Sequence, residues 1–211
     1  MDISELKDIE LRGVIKKLKE QAFDGTLTIR ANTYSNYPKK FKNNKFQMSQ
    51  KCLDQIRQEL NNVNYPKEIK GGDKRIEFVY PKGLKVQLGN AMSREFGGKI
   101  RASGLFLIPP NGFFGWHTNA DYPCPRVYFV YCSRDNGSFF YTSKGSNGKI
   151  KVKKEKKGWN MNFFQPPVWH AAETKSDCYR FSIGFRLYDY KTMEESLKKR
   201  KEFFEWLDQE K

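Results

Sequence analysis

Two histidines make up the whole imidazole supply of this 211-residue chain, and each directly follows a tryptophan. His117 sits in "GFFGWHTNADYP" (112–123) and His170 in "PPVWHAAETKSDCYRFS" (166–182). Neutral imidazole is the commonest metal ligand and titrates near neutral pH, so such a pair offers two donors to one ion or acid–base chemistry. Asn119 lies two residues after His117, and in extended backbone the two side chains project to the same face. A third feature is "YRFSIGFRL" (179–187), where Arg180, Ser182, Gly184 and Arg186 alternate with Phe181, Ile183, Phe185 and Leu187. If the apolar face packs outward on helices, Arg180 and Ser182 point into the interior. A buried arginine requires an anionic partner. A guanidinium fork beside a hydroxyl suits a carboxylate held by two parallel hydrogen bonds.

The elements that must position these groups are short and β-like from about residue 76 onward. The runs are "RIEFVY", "LKVQL", "KIRASGLFLI", "RVYFVYC", "SFFYT", "KIKVK", "WNMNFF", "VWHAA" and "YRFSIGFRL". They are separated by "YPKG", "PPNG", "RDNG", "SNG" and "QPP", which is turn chemistry. Eight or nine short strands at this spacing predict a sandwich or barrel, and eight in two sheets is the jelly-roll count. Helical spacing of Ile3, Leu6, Ile9, Leu11, Val14, Ile15 and Leu18 predicts a helix over 2–20. Leu53, Ile56 and Leu60 predict a second over 49–61, and "NNVNYPKEIKGGDK" then reads as loop. A third is predicted over 193–209, opened by Thr192 and Glu195 in capping-box spacing. The expected architecture is mostly β with flanking helices (α+β) in a single domain. It has a helical N-terminal extension over 1–75, a β-core over 76–190 and a C-terminal helix over 191–211.

His117-Thr118-Asn119, then His170, then Arg180-Phe181-Ser182 ten positions later, resembles the Fe(II)- and 2-oxoglutarate-dependent dioxygenases. That family's signature is His-x-Asp/Glu, a distal His and then Arg, often as Arg-x-Ser, on a double-stranded β-helix (jelly-roll, cupin-like) core. The resemblance covers about residues 76–188, and the chain is also similar to phage-encoded members. It implies Fe(II) as cofactor, held by His117, Asn119 and His170, and 2-oxoglutarate as cosubstrate, with Arg180 and Ser182 on its far carboxylate. It also implies a tyrosine on the 126–132 strand beside the cosubstrate, and Tyr131 is taken over Tyr128. The implied activity is oxidation, in most cases hydroxylation, of a substrate C–H bond. The departure is Asn119, which stands where the family's 2-His-1-carboxylate site has an acid. An amide oxygen can ligate iron, but it removes one negative charge beside the metal and weakens Fe(II) affinity. Asp121, four residues after His117, is an alternative third ligand, and a catalytically degenerate barrel is the remaining alternative.

The formal charge of +15 is concentrated in "PKKFKNNK" (38–45) and "KIKVKKEKK" (149–157). Such clusters serve either as solvated strand edges that block edge pairing or as a footprint for nucleic acid or another acidic partner. The four cysteines, Cys52, Cys124, Cys132 and Cys178, lack C-x2-C spacing and read as reduced packing thiols. No apolar run approaches the length of a membrane span, and the N-terminus lacks the apolar segment of a secretion signal. The expectation is therefore a cytoplasmic protein with no membrane partner.

Overall fold

The computed structural model describes residues 3–33, 47–59, 73–117, 124–142, 149–164 and 169–188. Among the described residues three helices, α1 (Ile9–Asp24), α2 (Gln50–Glu59) and α3 (Leu84–Phe96), accompany ten strands. The strands are β1 (Ile29–Asn32), β2 (Ile76–Phe78), β3 (Ile100–Ile108), β4 (Phe113–His117) and β5 (Arg126–Cys132). They continue as β6 (Gly137–Thr142), β7 (Ile150–Glu155), β8 (Gly158–Phe164), β9 (His170–Thr174) and β10 (Arg180–Leu187). They form a six-stranded sheet in the order β1-β2-β3-β10-β5-β8 and a four-stranded sheet in the order β4-β9-β6-β7. Every pairing among them is antiparallel. From β3 onward successive strands alternate between the sheets, except that the β6–β7 hairpin stays in the smaller one. This is the double-stranded β-helix, a jelly roll of eight strands extended by β1 and β2.

Helices α1 and α3 cover the outer face of the large sheet. Leu11, Ile15 and Leu18 of α1 and Leu88, Met92 and Phe96 of α3 join Phe181, Ile183 and Phe185 of β10 in one buried cluster. The helices pack there because each carries an apolar stripe at three- and four-residue spacing. At roughly 25 cal/mol per Å² of apolar surface removed from water, such burial is the main stabilising term. Helix α2 covers the small sheet, setting Cys52, Leu53 and Ile56 against Phe113, Trp116, Phe140 and Ala171. The inner faces of both sheets are thereby left to face each other. Among the described residues no helix is long and apolar enough to cross a membrane.

Three expectations change. "LKVQL" is not a strand but the start of α3. Its five-residue alternation imitates a strand, while Leu84, Leu88, Ala91, Met92 and Phe96 reveal the helical period only over thirteen residues. The first helix runs Ile9–Asp24 instead of 2–20, because Asp8 caps it by accepting from the Leu11 N–H at 2.9 Å. Residues Ile3–Glu5 form a separate 3-10 turn. The N-terminal 75 residues are not helical throughout, since β1 pairs with β2 and widens the large sheet. The helix expected over 193–209 lies outside the described residues.

Candidate functional site

The two histidines meet through the ladder of the small sheet. His117 closes β4, His170 opens β9, and the two are direct pairing partners. A register irregularity between Phe114 and His117 shifts the alternation of β4 by one residue. Phe113 and Trp116 consequently face α2, while Phe114 and His117 face the interior. The imidazole rings lie 4.0 Å apart between centroids, with 53° between their planes. His170 also packs on Phe164 at 4.3 Å and on Phe139 at 6.0 Å.

His117 Nδ1 lies 2.8 Å from the Gly115 carbonyl oxygen. A carbonyl can only accept, so Nδ1 carries the proton and Nε2 keeps its lone pair. Burial pushes the His117 pKa down to about 4, so the ring is neutral at ordinary pH and its Nε2 is an electron-pair donor. Such a hydrogen bond from the other ring nitrogen to a backbone carbonyl is how metal-binding imidazoles are fixed in tautomer and orientation. A pair not foreseen from the sequence buttresses this histidine. Asp73 accepts the Gly115 N–H at 2.9 Å and pairs with Arg75 at 3.0 Å. The Arg75 guanidinium lies 3.8 Å from the ring centroid of Phe114, which stacks on His117 at 4.2 Å and 15°. Residues 73–75 close a segment rich in Gly, Asn and Lys, and nothing in its spacing marks them.

On the facing large sheet, β10 turns Arg180 and Ser182 inward, as the alternation predicts. His117, His170, Arg180, Ser182 and Tyr128 line one cavity. Its free volume is about 20 Å³, room for about one water or one ion. A dicarboxylate therefore requires side chains to move. Tyr131, the tyrosine expected from the sequence, faces the other way. It packs edge-on against Phe23 of α1 at 6.0 Å and against Trp159 at 5.4 Å. Val127, Phe129 and Tyr131 alternate outward on β5, which leaves Tyr128 inside. Both faces of β5 are apolar or aromatic, so its own pattern does not decide between the two tyrosines. Tyr128 approaches β10 where Gly184 stands, and a Cβ there would lie 2.7 Å from the tyrosine ring. Burial pushes the Tyr128 phenol up, while Arg126, Arg186, Arg75 and Arg180 around it pull the other way.

Arg180 already has a carboxylate partner. Its Nε and Nη2 donate to the two oxygens of Glu155 at 2.6 and 2.9 Å. Glu155 is fully buried and also accepts from Asn162 Nδ2 at 2.6 Å, and the Cys132 thiol lies 3.7 Å away. Burial works against the Arg180 charge, and the Glu155 carboxylate more than restores it, holding Arg180 above its ordinary value. The inward carboxylate comes from within "KIKVKKEKK", where a single acid in a lysine run is the available signal. Cys132 and Cys178, expected as packing thiols, are buried together beside this pair.

Among the described residues no group of three His, Cys, Asp or Glu side chains could hold a metal ion. His117 and His170 are two suitable donors with fixed rings. The expected third, Asn119 or Asp121, lies outside the described residues.

No family model matches the chain, and no curated protein matches it. Solved structures similar to it include a prolyl-4-hydroxylase from Pseudomonas putida, at 12% identity and a TM-score of 0.46. That alignment covers 86% of this chain and 88% of the hydroxylase. An oxalate decarboxylase from Lactobacillus farciminis is 16% identical, with a TM-score of 0.33 over 45% of this chain and 27% of that one. A cupin-like protein from Thermotoga maritima is 18% identical, with a TM-score of 0.27 over 44% of this chain and 71% of that one. The strand order itself defines the class, a jelly-roll protein of the double-stranded β-helix type.

Proposed function

We propose that the protein is an Fe(II)- and 2-oxoglutarate-dependent dioxygenase that oxidises a substrate C–H bond, ending in hydroxylation. The observation that carries this reading is the pairing of the chain's only two histidines across β4 and β9, in a cavity shared with Arg180, Ser182 and Tyr128. His117 and His170 hold the iron through one ring nitrogen each, with Asn119 or Asp121 as third donor. Bound iron would couple the oxidative decarboxylation of 2-oxoglutarate to oxidation of the substrate.

The residues around the iron then have separable tasks. The Gly115 carbonyl keeps the His117 proton on Nδ1. Arg180, Ser182 and Tyr128 receive the far carboxylate of the cosubstrate. Because Arg180 already forks onto Glu155, that carboxylate enters by taking over part of the fork. The aromatic wall of Phe114, Phe139 and Phe164 excludes water around the imidazoles.

Anaerobic titration with Fe(II) and 2-oxoglutarate tests this directly. The expected result is a weak visible absorption band of a chelated keto acid, lost in His170→Ala. Absence of the band at millimolar cosubstrate overturns the reading. A second reading is favoured by the Arg180–Glu155 pair itself: a non-catalytic barrel whose arginine is structural and whose basic surface binds a polyanion. Iron and 2-oxoglutarate would then both fail to bind while a polyanion binds with strong salt dependence.

A further inference from the structure

A second recess lies between α3 and the adjoining ends of β3 and β10, with a volume of about 680 Å³. This is within the range of clefts that hold ligands. Its charged lining residues are Lys85, Lys99, Arg101 and Arg186, and no carboxylate among the described residues lines it. Lys85, Lys99 and Arg101 around one recess repel one another, and an anion seated among them relieves that repulsion. Tyr188 stands at the same recess, 41% exposed, with the Arg101 guanidinium 5.0 Å from its ring centroid. Asn90 and Ser93 add neutral polar groups from α3.

Lysines and arginines that track phosphates, combined with an exposed aromatic ring on which a base can stack, form the usual single-strand binding surface. The chain's net charge of +15 adds long-range attraction for the same partner. We propose that this recess binds single-stranded nucleic acid, with Lys85, Lys99 and Arg101 on the phosphates and Tyr188 as the platform for a base. An acidic peptide would use the cations but gain little from the ring. The site is independent of the histidine pair, so metal-free protein serves for its test.

The test is fluorescence anisotropy of a labelled twelve-residue oligothymidylate between 50 and 200 mM salt. Lys85→Glu/Arg101→Glu should weaken binding at least tenfold. It should also flatten the slope of log K against log salt by about 1.4, at roughly 0.7 for each phosphate that is no longer neutralised. Lys156→Glu/Lys157→Glu removes the same charge from exposed positions in the turn between β7 and β8, which do not line this recess, and should change binding less than threefold. Tyr188→Ala should weaken binding about tenfold without altering the slope. All three variants replace exposed side chains, and equal melting temperatures confirm that they fold. Equal weakening by the two charge-reversal pairs, no effect of Tyr188→Ala, or full displacement by polyglutamate at equal charge would each overturn the proposal.

Discussion

Glu155 and Arg180, the latter lining the cavity, form a buried bidentate pair, 0% and 4% exposed. Withdrawing a guanidinium and a carboxylate from water is costly unless each satisfies the other, and losing one strands its partner. Glu155→Gln keeps a hydrogen bond but removes the charge, so its expected cost is on the order of 3 kcal/mol, read as a lower melting temperature. If the cosubstrate uses Arg180, 2-oxoglutarate supplies the missing negative charge in that variant. Millimolar 2-oxoglutarate should then raise the melting temperature of Glu155→Gln more than that of the parent protein. Equal shifts in both would show that the fork serves the fold and not the cosubstrate. Alternation alone marks Arg180 and Ser182 as inward-facing, but the identity of the anionic partner depends on β7 folding across from β10. No spacing along the chain encodes that distance.

The helices and strands are legible to different degrees, for reasons visible in their residues. β10 declares both faces because arginine and serine alternate with large apolar groups. β5 declares neither, and its pattern leaves Tyr131 as plausible as Tyr128, the one that faces the cavity. α3 imitates a strand because its first five residues alternate, and because Gly89 interrupts the helical pattern. That glycine is where α3 presses against β3: a Cβ on it would lie 2.9 Å from the Ile100 carbonyl oxygen, a backbone atom that cannot swing aside. Gly13 of α1 has nothing within 4 Å of the same position. Alanine is the better helix former by about 1 kcal/mol, so Gly13→Ala should stabilise by roughly 0.5–1 kcal/mol. Gly89→Ala gains the same propensity but forces helix and strand apart, at a cost of about 1–3 kcal/mol, and should be net destabilising. Urea melts of the two variants should therefore move in opposite directions. A stabilised Gly89→Ala would mean that α3 does not pack closely on β3.

At the scale of the molecule, the jelly roll brings together side chains that the sequence holds far apart. His117 and His170 become ladder partners because β4 and β9 are neighbours in the small sheet. Arg180 and Ser182 join them from the large sheet. The two-sheet count and the presence of inward-facing chemistry are readable from turn spacing and alternation. The β4 irregularity that aims His117 inward, and the Asp73–Arg75 brace behind it, arise from long-range packing that local pattern does not record. The central claim is that both rings hold one metal ion, and the chain's two-histidine composition makes it testable in a single spectrum. Loading the protein with Co(II) in place of Fe(II) should give two strongly shifted exchangeable imidazole N–H resonances in the proton spectrum. The one from His117 should exchange slowly, since its Nδ1 proton is donated to the Gly115 carbonyl. One shifted resonance, or none at saturating cobalt, would contradict a metal centre built on this pair.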